Sequence, residues 1–112
     1  MSLKNIVYLY GFSTTIESKL TSLIQIIENQ LEQEIQVNLV FIHDGVIGMT
    51  QKSRIPPALQ KLLDLSLTFY TMIPDLKARG IDTTNLRTKI IGIGYEELVD
   101  ILAETPKIVS WM

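Results

Sequence analysis

Hydrophobic and polar positions along this chain change their spacing several times. Residues 4–10 form a short run rich in β-branched and aromatic side chains that ends at Gly11, which predicts a first strand. Thr14, followed three positions later by Glu17, predicts a capping box at the start of a helix. An apolar stripe with spacings of three and four then predicts the buried face of that amphipathic helix: Ile16, Leu20, Leu23, Ile24, Ile27 and Leu31.

The rest of the chain continues the alternation of strand and helix patterns. In residues 35–43, apolar and polar side chains first alternate and then give way to a continuous apolar run. This pattern predicts a strand of a parallel sheet that is covered on both faces. Residues 44–57 contain two glycines and two prolines and are interpreted as a loop that is either mobile or partner-facing. Further elements are predicted as a helix over 58–65, a strand over 66–72, a very short helix from Pro74 closed by Gly80, a strand over 88–94, a helix over 95–104 and a strand over 108–111.

This order of elements defines a fold class. Strands that alternate with helices favour βαβ units with right-handed crossovers, since each parallel connection needs a helix to return the chain. We therefore predict a three-layer α/β/α sandwich with a mostly parallel sheet of about five strands. The sequence shows no internal repeat and no shift in composition, so we expect residues 1–112 to form one domain.

Composition narrows the classes of function. The chain has 112 residues, of which 46% are hydrophobic, so it can build a core without disulfides or a structural metal. It contains no cysteine, which excludes a disulfide framework, a zinc-thiolate site, a thiolate nucleophile and a persulfide carried on this chain. A net charge of -2 with no basic stripe disfavours direct nucleic-acid binding.

Hydropathy adds an expectation about partners and location. The mean hydropathy of +0.24 is high for a small monomer, so we expect apolar surface to meet another subunit. No stretch approaches the roughly 18 apolar residues that a membrane span requires, and the first residues do not resemble a secretory signal. We expect a cytoplasmic protein with no membrane contact.

Candidate chemistry lies where parallel strands end, because ligands bind beyond their carboxyl edge. His43 is the only histidine and stands beside Asp44. Neighbours on an extended chain point to opposite faces, so we expect a hydrogen-bonded histidine at a strand end rather than a catalytic residue. One histidine without cysteines also leaves too few ligands for a metal site, and we predict no cofactor.

Two further loops and two side chains have alternative interpretations. The hydroxyl-rich loop over residues 11–15 suits an anion before a helix, although capping also explains its threonine. Gly92 and Gly94 begin like a dinucleotide fingerprint, but Glu97 stands at the third glycine position and would repel a pyrophosphate. Arg79 is either a solvated charge or half of an interface ion pair, and Trp111 either docks on its own domain or meets another chain.

Three segments, taken in order, resemble a known family. The first is His43-Asp44-Gly45-Val46, the second is residues 75–81 (DLKARGI), and the third is Tyr95-x-x-Leu98-Val99-x-Ile101 followed at a distance by Trp111. Together they resemble the DsrH and TusB subunits of sulfur-relay complexes, within the wider DsrE-like superfamily. The resemblance implies a parallel α/β sandwich of about this length.

The same resemblance implies a function. Relay complexes pass sulfur as a persulfide between cysteines, toward 2-thiouridine in tRNA or within dissimilatory sulfur oxidation. The sulfur-carrying cysteine belongs to partner subunits, so this chain is expected to be a non-catalytic accessory subunit that binds DsrE/TusD-like and DsrF/TusC-like chains or itself. His43, Asp44, Gly45, Arg79 and Trp111 are the candidate strand-end or interface residues.

Two alternatives stay open at this point. The chain is alternatively a stand-alone homo-oligomeric module that binds a small anion or nucleotide at the carboxyl ends of its strands. A third interpretation is a small enzyme that uses Asp44 or His43 as acid or base.

Overall fold

The computed structural model describes residues 5–112, so Lys4, which the first strand prediction includes, lies outside the described residues. Five strands form one sheet in the order β4-β3-β2-β1-β5, and every neighbouring pair is parallel. The predicted α/β class and the parallel five-stranded sheet are therefore confirmed. The elements are β1 Asn5–Tyr10, α1 Glu17–Glu32, β2 Gln36–Phe41, α2 Pro57–Leu63, β3 Thr68–Met72, α3 Ile73–Ala78, β4 Ile90–Ile93, α4 Tyr95–Glu104 and β5 Lys107–Trp111, with a 3-10 turn at His43–Val46.

The helices divide unequally between the two faces of the sheet. Successive side chains of β1, such as Val7 and Tyr8, enter different buried clusters because they point to opposite faces of the sheet. Helices α1, α2 and α3 pack on the Tyr8 face, whereas only α4, of the helices in residues 5–112, packs on the Val7 face. Right-handed crossovers require this division, since the chain steps from β1 to β4 in one direction and then returns to β5 at the opposite edge. None of these helices is long and apolar enough to cross a membrane.

Strand β2 is shorter than predicted. It lies between β1 and β3, and every residue from Val37 to Phe41 is buried, which explains its continuous apolar run. The prediction over 35–43 was wrong at its end, because His43 adopts a left-handed backbone with φ 51° and begins the 3-10 turn. Strand β2 therefore ends where the candidate site begins.

The start of α1 also differs from its prediction. No side chain caps this helix, so the predicted capping box was wrong. The Thr14 hydroxyl instead donates to the carbonyl oxygen of Ile47 at 2.8 Å, and Glu17 Oε1 accepts the N–H of Ala58 at 3.1 Å. Thr14, just before α1, thus bonds to the loop that follows β2, and Glu17 bonds to the first turn of α2, so tertiary contacts replace a local cap.

The end of α3 follows its prediction. Gly80 is left-handed with φ 67°, and its N–H donates to the carbonyl oxygen of Lys77. The N–H of Ile81 donates to the carbonyl oxygen of Leu76 at 2.9 Å, which completes a Schellman motif. This closure ends the helix after six residues and turns the chain toward β4.

Residues 48–53 of the long loop are held in place by hydrogen bonds to residues 85–87. The guanidinium of Arg87 donates to the carbonyl oxygens of Gly48 and Ser53, both at 2.8 Å. Thr50 forms an antiparallel bridge with Leu86, and the N–H of Gln51 donates to the carbonyl oxygen of Asn85. Partial burial lowers the pKa of Arg87, since the charged form loses hydration there. The structure therefore favours an ordered loop over a mobile one.

Replacing Arg87 should loosen this loop. Arg87→Met removes two hydrogen bonds from a charged donor, so we expect a loss of about 2–4 kcal/mol in the free energy of unfolding. Amide exchange should accelerate most over residues 48–53. Arg54→Met is the matched control, because Arg54 is exposed and its replacement should change stability by less than about 0.5 kcal/mol. Equal effects of the two substitutions on stability and exchange would contradict this role of Arg87.

Candidate functional site

The ends of β1 and β2 meet in a closely packed corner. The N–H of Ile42 donates to the carbonyl oxygen of Tyr10 at 2.9 Å, and the N–H of Gly45 donates to the carbonyl oxygen of Ile42 at 2.8 Å. A β carbon on Gly45 would lie only 2.3 Å from the Tyr10 carbonyl oxygen. Glycine is therefore required at position 45 for space, and the 3-10 turn packs directly on the end of β1.

Asp75 holds the strained residue of this turn. His43 has φ 51°, a conformation that histidine adopts more readily than most residues but still at a cost. Its N–H donates to Asp75 Oδ2 at 2.8 Å, which ties the turn to the first turn of α3. The imidazole is exposed and lies beside Gly11. Histidine thus contributes a backbone donor to the fold and leaves its ring accessible.

Asp44 and Arg79 form the second connection between the turn and α3. Asp44 Oδ1 accepts hydrogen bonds from Arg79 Nη2 at 3.0 Å and from Nε at 3.3 Å. The Asp44 side chain is 62% exposed, so the pair contributes about 0–1 kcal/mol to stability. The Asp44 carboxylate therefore contacts Arg79 and does not orient the His43 imidazole. This geometry gives no support to the interpretation as an enzyme with an acid–base pair.

Trp111 lies on the other side of the β1 end. The N–H of Gly11 donates to its carbonyl oxygen at 2.8 Å, which extends the pairing of β1 with β5. The indole is half-buried, and its ring centroid lies 6.5 Å from that of Tyr10. Met112 and the His43 imidazole both lie beside Gly11, on the side where a β carbon would stand. Trp111 thus docks on its own domain and keeps part of its ring accessible.

The two loops considered for anion binding form hydrogen bonds of their own and are followed by acidic side chains. The hydroxyls of Ser13 and Thr15 bond each other at 2.8 Å, and Glu17 places a negative charge in the first turn of α1. In the glycine pair, Glu97 Oε1 accepts the N–H of Gly94 at 2.9 Å and caps α4. No group of three residues able to hold a metal ion occurs within residues 5–112. The interpretation as an anion-binding module gains no support from these loops.

Tyr10 adds a buried polar atom to the corner. Its ring packs edge-to-face on Phe12 and Phe41, and its hydroxyl finds no hydrogen-bond partner among residues 5–112. Burial raises the pKa of Tyr10 from 10.0 to about 12, because the phenolate would lose its hydration. Tyr8, on the same face of β1, donates its hydroxyl to Gln30 Oε1 at 2.8 Å. The two tyrosines form a natural comparison of a bonded and an unbonded hydroxyl.

Comparison with known proteins assigns the chain to a family. The family profile described as "DsrH like protein" matches residues 13–108. The chain belongs to the DsrH family. Two relatives named Protein TusB, from Pectobacterium atrosepticum and Pectobacterium carotovorum subsp. carotovorum, are each 34% identical over 73 residues, which is 65% of this chain and 73% of theirs.

Solved structures extend the likeness at the level of the fold. The ychN protein from E. coli superimposes with a TM-score of 0.75 at 16% identity, covering 99% of this chain and all of its own. Protein MTH1491 from Methanobacterium thermoautotrophicum gives a TM-score of 0.71 at 17% identity, with 95% and 96% covered. The parallel sheet of this DsrH family member is therefore shared with distant proteins.

The DsrH family segments occupy distinct places in the structure. The first two, which contain Asp44 and Arg79, pack together where the 3-10 turn contacts α3. The third segment forms α4 on the other face, and Trp111 ends β5. The tertiary role of Asp75 was missed, because an acid in the first turn of a helix is already explained by the helix dipole. Arg87 has no local signal, since the carbonyls it binds are 34 and 39 residues away in sequence.

Removing the Tyr10 hydroxyl should stabilise the protein. Tyr10→Phe should raise the free energy of unfolding by about 1 kcal/mol, because the folded state no longer buries an unbonded hydroxyl. Tyr8→Phe should lower it by about 1 kcal/mol, because it removes the bond to Gln30. Urea unfolding at neutral pH measures both values. A destabilised Tyr10→Phe variant would contradict this assignment.

The buried hydroxyl of Tyr10 also predicts how stability responds to alkaline pH. Tyr10 is neutral in both states below pH 10, and because its pKa is raised in the folded state, the unfolded chain ionises first and the free energy of unfolding falls as the pH rises toward 12. Tyr10→Phe should therefore lose less stability than the parent protein over this interval. Urea unfolding at several pH values between 9 and 12 measures the difference, and parallel losses in the two proteins would contradict it.

A side chain at position 45 should disrupt the corner. Gly45→Ala forces a β carbon against the Tyr10 carbonyl oxygen, so we expect a loss of about 3 kcal/mol or more in unfolding free energy. Gly80→Ala is the control for backbone conformation, because position 80 has free space but a left-handed φ, and it should cost about 1–2 kcal/mol. Thermal unfolding compares the two, and a milder effect at position 45 would be inconsistent with the close contact.

Proposed function

We propose that this chain is an accessory subunit of a sulfur relay, which completes an assembly of related α/β chains without carrying sulfur itself. The observation that carries this proposal is membership of the DsrH family in a chain that contains no cysteine. A persulfide forms on a thiolate, so the sulfur atom in transit must be bound to another subunit. The contribution of this chain is then to position its partners.

The accessible groups at the carboxyl edge of the sheet support a contact role. His43 presents an exposed imidazole, Met112 is 61% exposed, and half-buried Trp111 packs against the buried core. Large aromatic and methionine side chains are enriched in protein interfaces. DsrE/TusD-like and DsrF/TusC-like subunits are the partners that the family resemblance implies. The relatives named TusB favour the pathway toward 2-thiouridine in tRNA over sulfur oxidation.

Co-expression with these candidate partners tests the proposal. We expect the tagged chain to purify with the DsrE/TusD-like and DsrF/TusC-like subunits of its own host in a fixed ratio, which native mass spectrometry measures. Alkylation of the purified assembly should label cysteines only on the partners. Recovery of the chain alone or as a homo-oligomer, with both partners present and folded, would contradict the accessory role.

A further inference from the structure

Helix α4 presents an unusual outward side. Its inward residues Leu98, Ile101 and Leu102 pack on the sheet, yet none of its residues is fully buried. Tyr95 and Val99, each 62% exposed, are four residues apart and therefore neighbours on the helix surface. With Glu96 and Asp100 they line one shallow depression, which is called the α4 patch below.

The charges of the α4 patch have no partner within the described chain. Asp44 and Arg79 form the only ion pair within residues 5–112, so no described cation pairs with Glu96 or Asp100. These two carboxylates are also four residues apart, a spacing at which like charges repel. Glu96 suits the first turn of the helix, but Asp100 lies beyond the turn that the helix dipole favours for an acid. Helix stability therefore does not explain this pair of charges.

We propose that the α4 patch docks a protein partner that presents lysine or arginine beside an apolar side chain. This inference rests on the proposed function, for which it names the surface and the chemistry of the partner. Tyr95 and Val99 supply the apolar contact, and cations on the partner relieve the repulsion between Glu96 and Asp100. An exposed aromatic residue ringed by polar groups is typical of a protein interface.

Electrostatics selects this occupant over the others. A second copy of the chain docked through a two-fold axis would place the two carboxylates near their own symmetry mates. Nucleic acid and anionic membranes carry the same sign of charge as the patch and would be repelled. A partner with a basic surface is the occupant that the charge pattern complements.

Two exposed residues of α1, one apolar and one acidic, provide controls. Ile26 is 42% exposed on α1, on the opposite face of the sheet, between polar residues that carry no charge. Glu32 is an exposed acid at the end of the same helix. A single exposed apolar residue and a single exposed acid are both normal on protein surfaces, so neither position predicts a contact.

Binding measurements on the purified DsrE/TusD-like and DsrF/TusC-like subunits test the α4 patch. Val99→Ser and Asp100→Lys should each weaken binding by about tenfold or more, while Ile26→Ser and Glu32→Lys should change it by less than about twofold. Added salt should weaken binding by the parent chain, and Asp100→Lys should lose part of that salt dependence. Circular dichroism melts establish that each variant is folded, as expected because the substituted side chains are exposed.

The possible results separate this inference from the proposed function. Equal binding by parent and α4 variants would overturn the docking surface and leave the accessory role intact. Absence of binding by the parent chain would overturn both. Dimerisation of the isolated chain that is strengthened by Asp100→Lys, measured by sedimentation, would make a second copy the occupant and also overturn the proposal.

Discussion

The contact between Gly45 and the carbonyl oxygen of Tyr10 determines the geometry of the candidate site. No side chain fits between them, so the 3-10 turn lies directly on the end of β1. That position brings the N–H of His43 to Asp75 and the carboxylate of Asp44 to Arg79. A single steric constraint thus links the ends of β1 and β2 to the short helix α3 and determines the shape of the surface around His43.

Periodicity predicts the elements of this fold well and their boundaries less well. Strands and helices were predicted in the correct order because each buries a regular face, and Gly80 marks the end of α3 through a local requirement for positive φ. The errors have tertiary causes. Thr14 and Glu17 match a capping box in spacing, but their side chains bond residues 33 and 41 positions away. The left-handed turn at His43 likewise depends on Asp75, which is 32 residues further along the chain.

The candidate site shows the same division between local and distant causes. Sequence reasoning selected Asp44 and Arg79, and the structure pairs them within the molecule. For Trp111, the sequence left two roles open, packing on its own domain and contact with another chain. Its half-buried ring packs beside Tyr10, and the rest of the ring is accessible to a partner. Among the described helices, α4 alone covers one face of the sheet. This unequal cover follows from the strand order, which the pattern of a single sequence does not predict.

Under the proposed function, sulfur transfer depends on a subunit that holds no thiol. The most direct measurement is the rate of persulfide transfer from a loaded donor to the cysteine-bearing partner subunits and onward, with and without this chain. The account predicts a marked fall in onward transfer when the chain is omitted and recovery when it is added back in the assembly ratio. Equal rates with and without the chain would contradict the account.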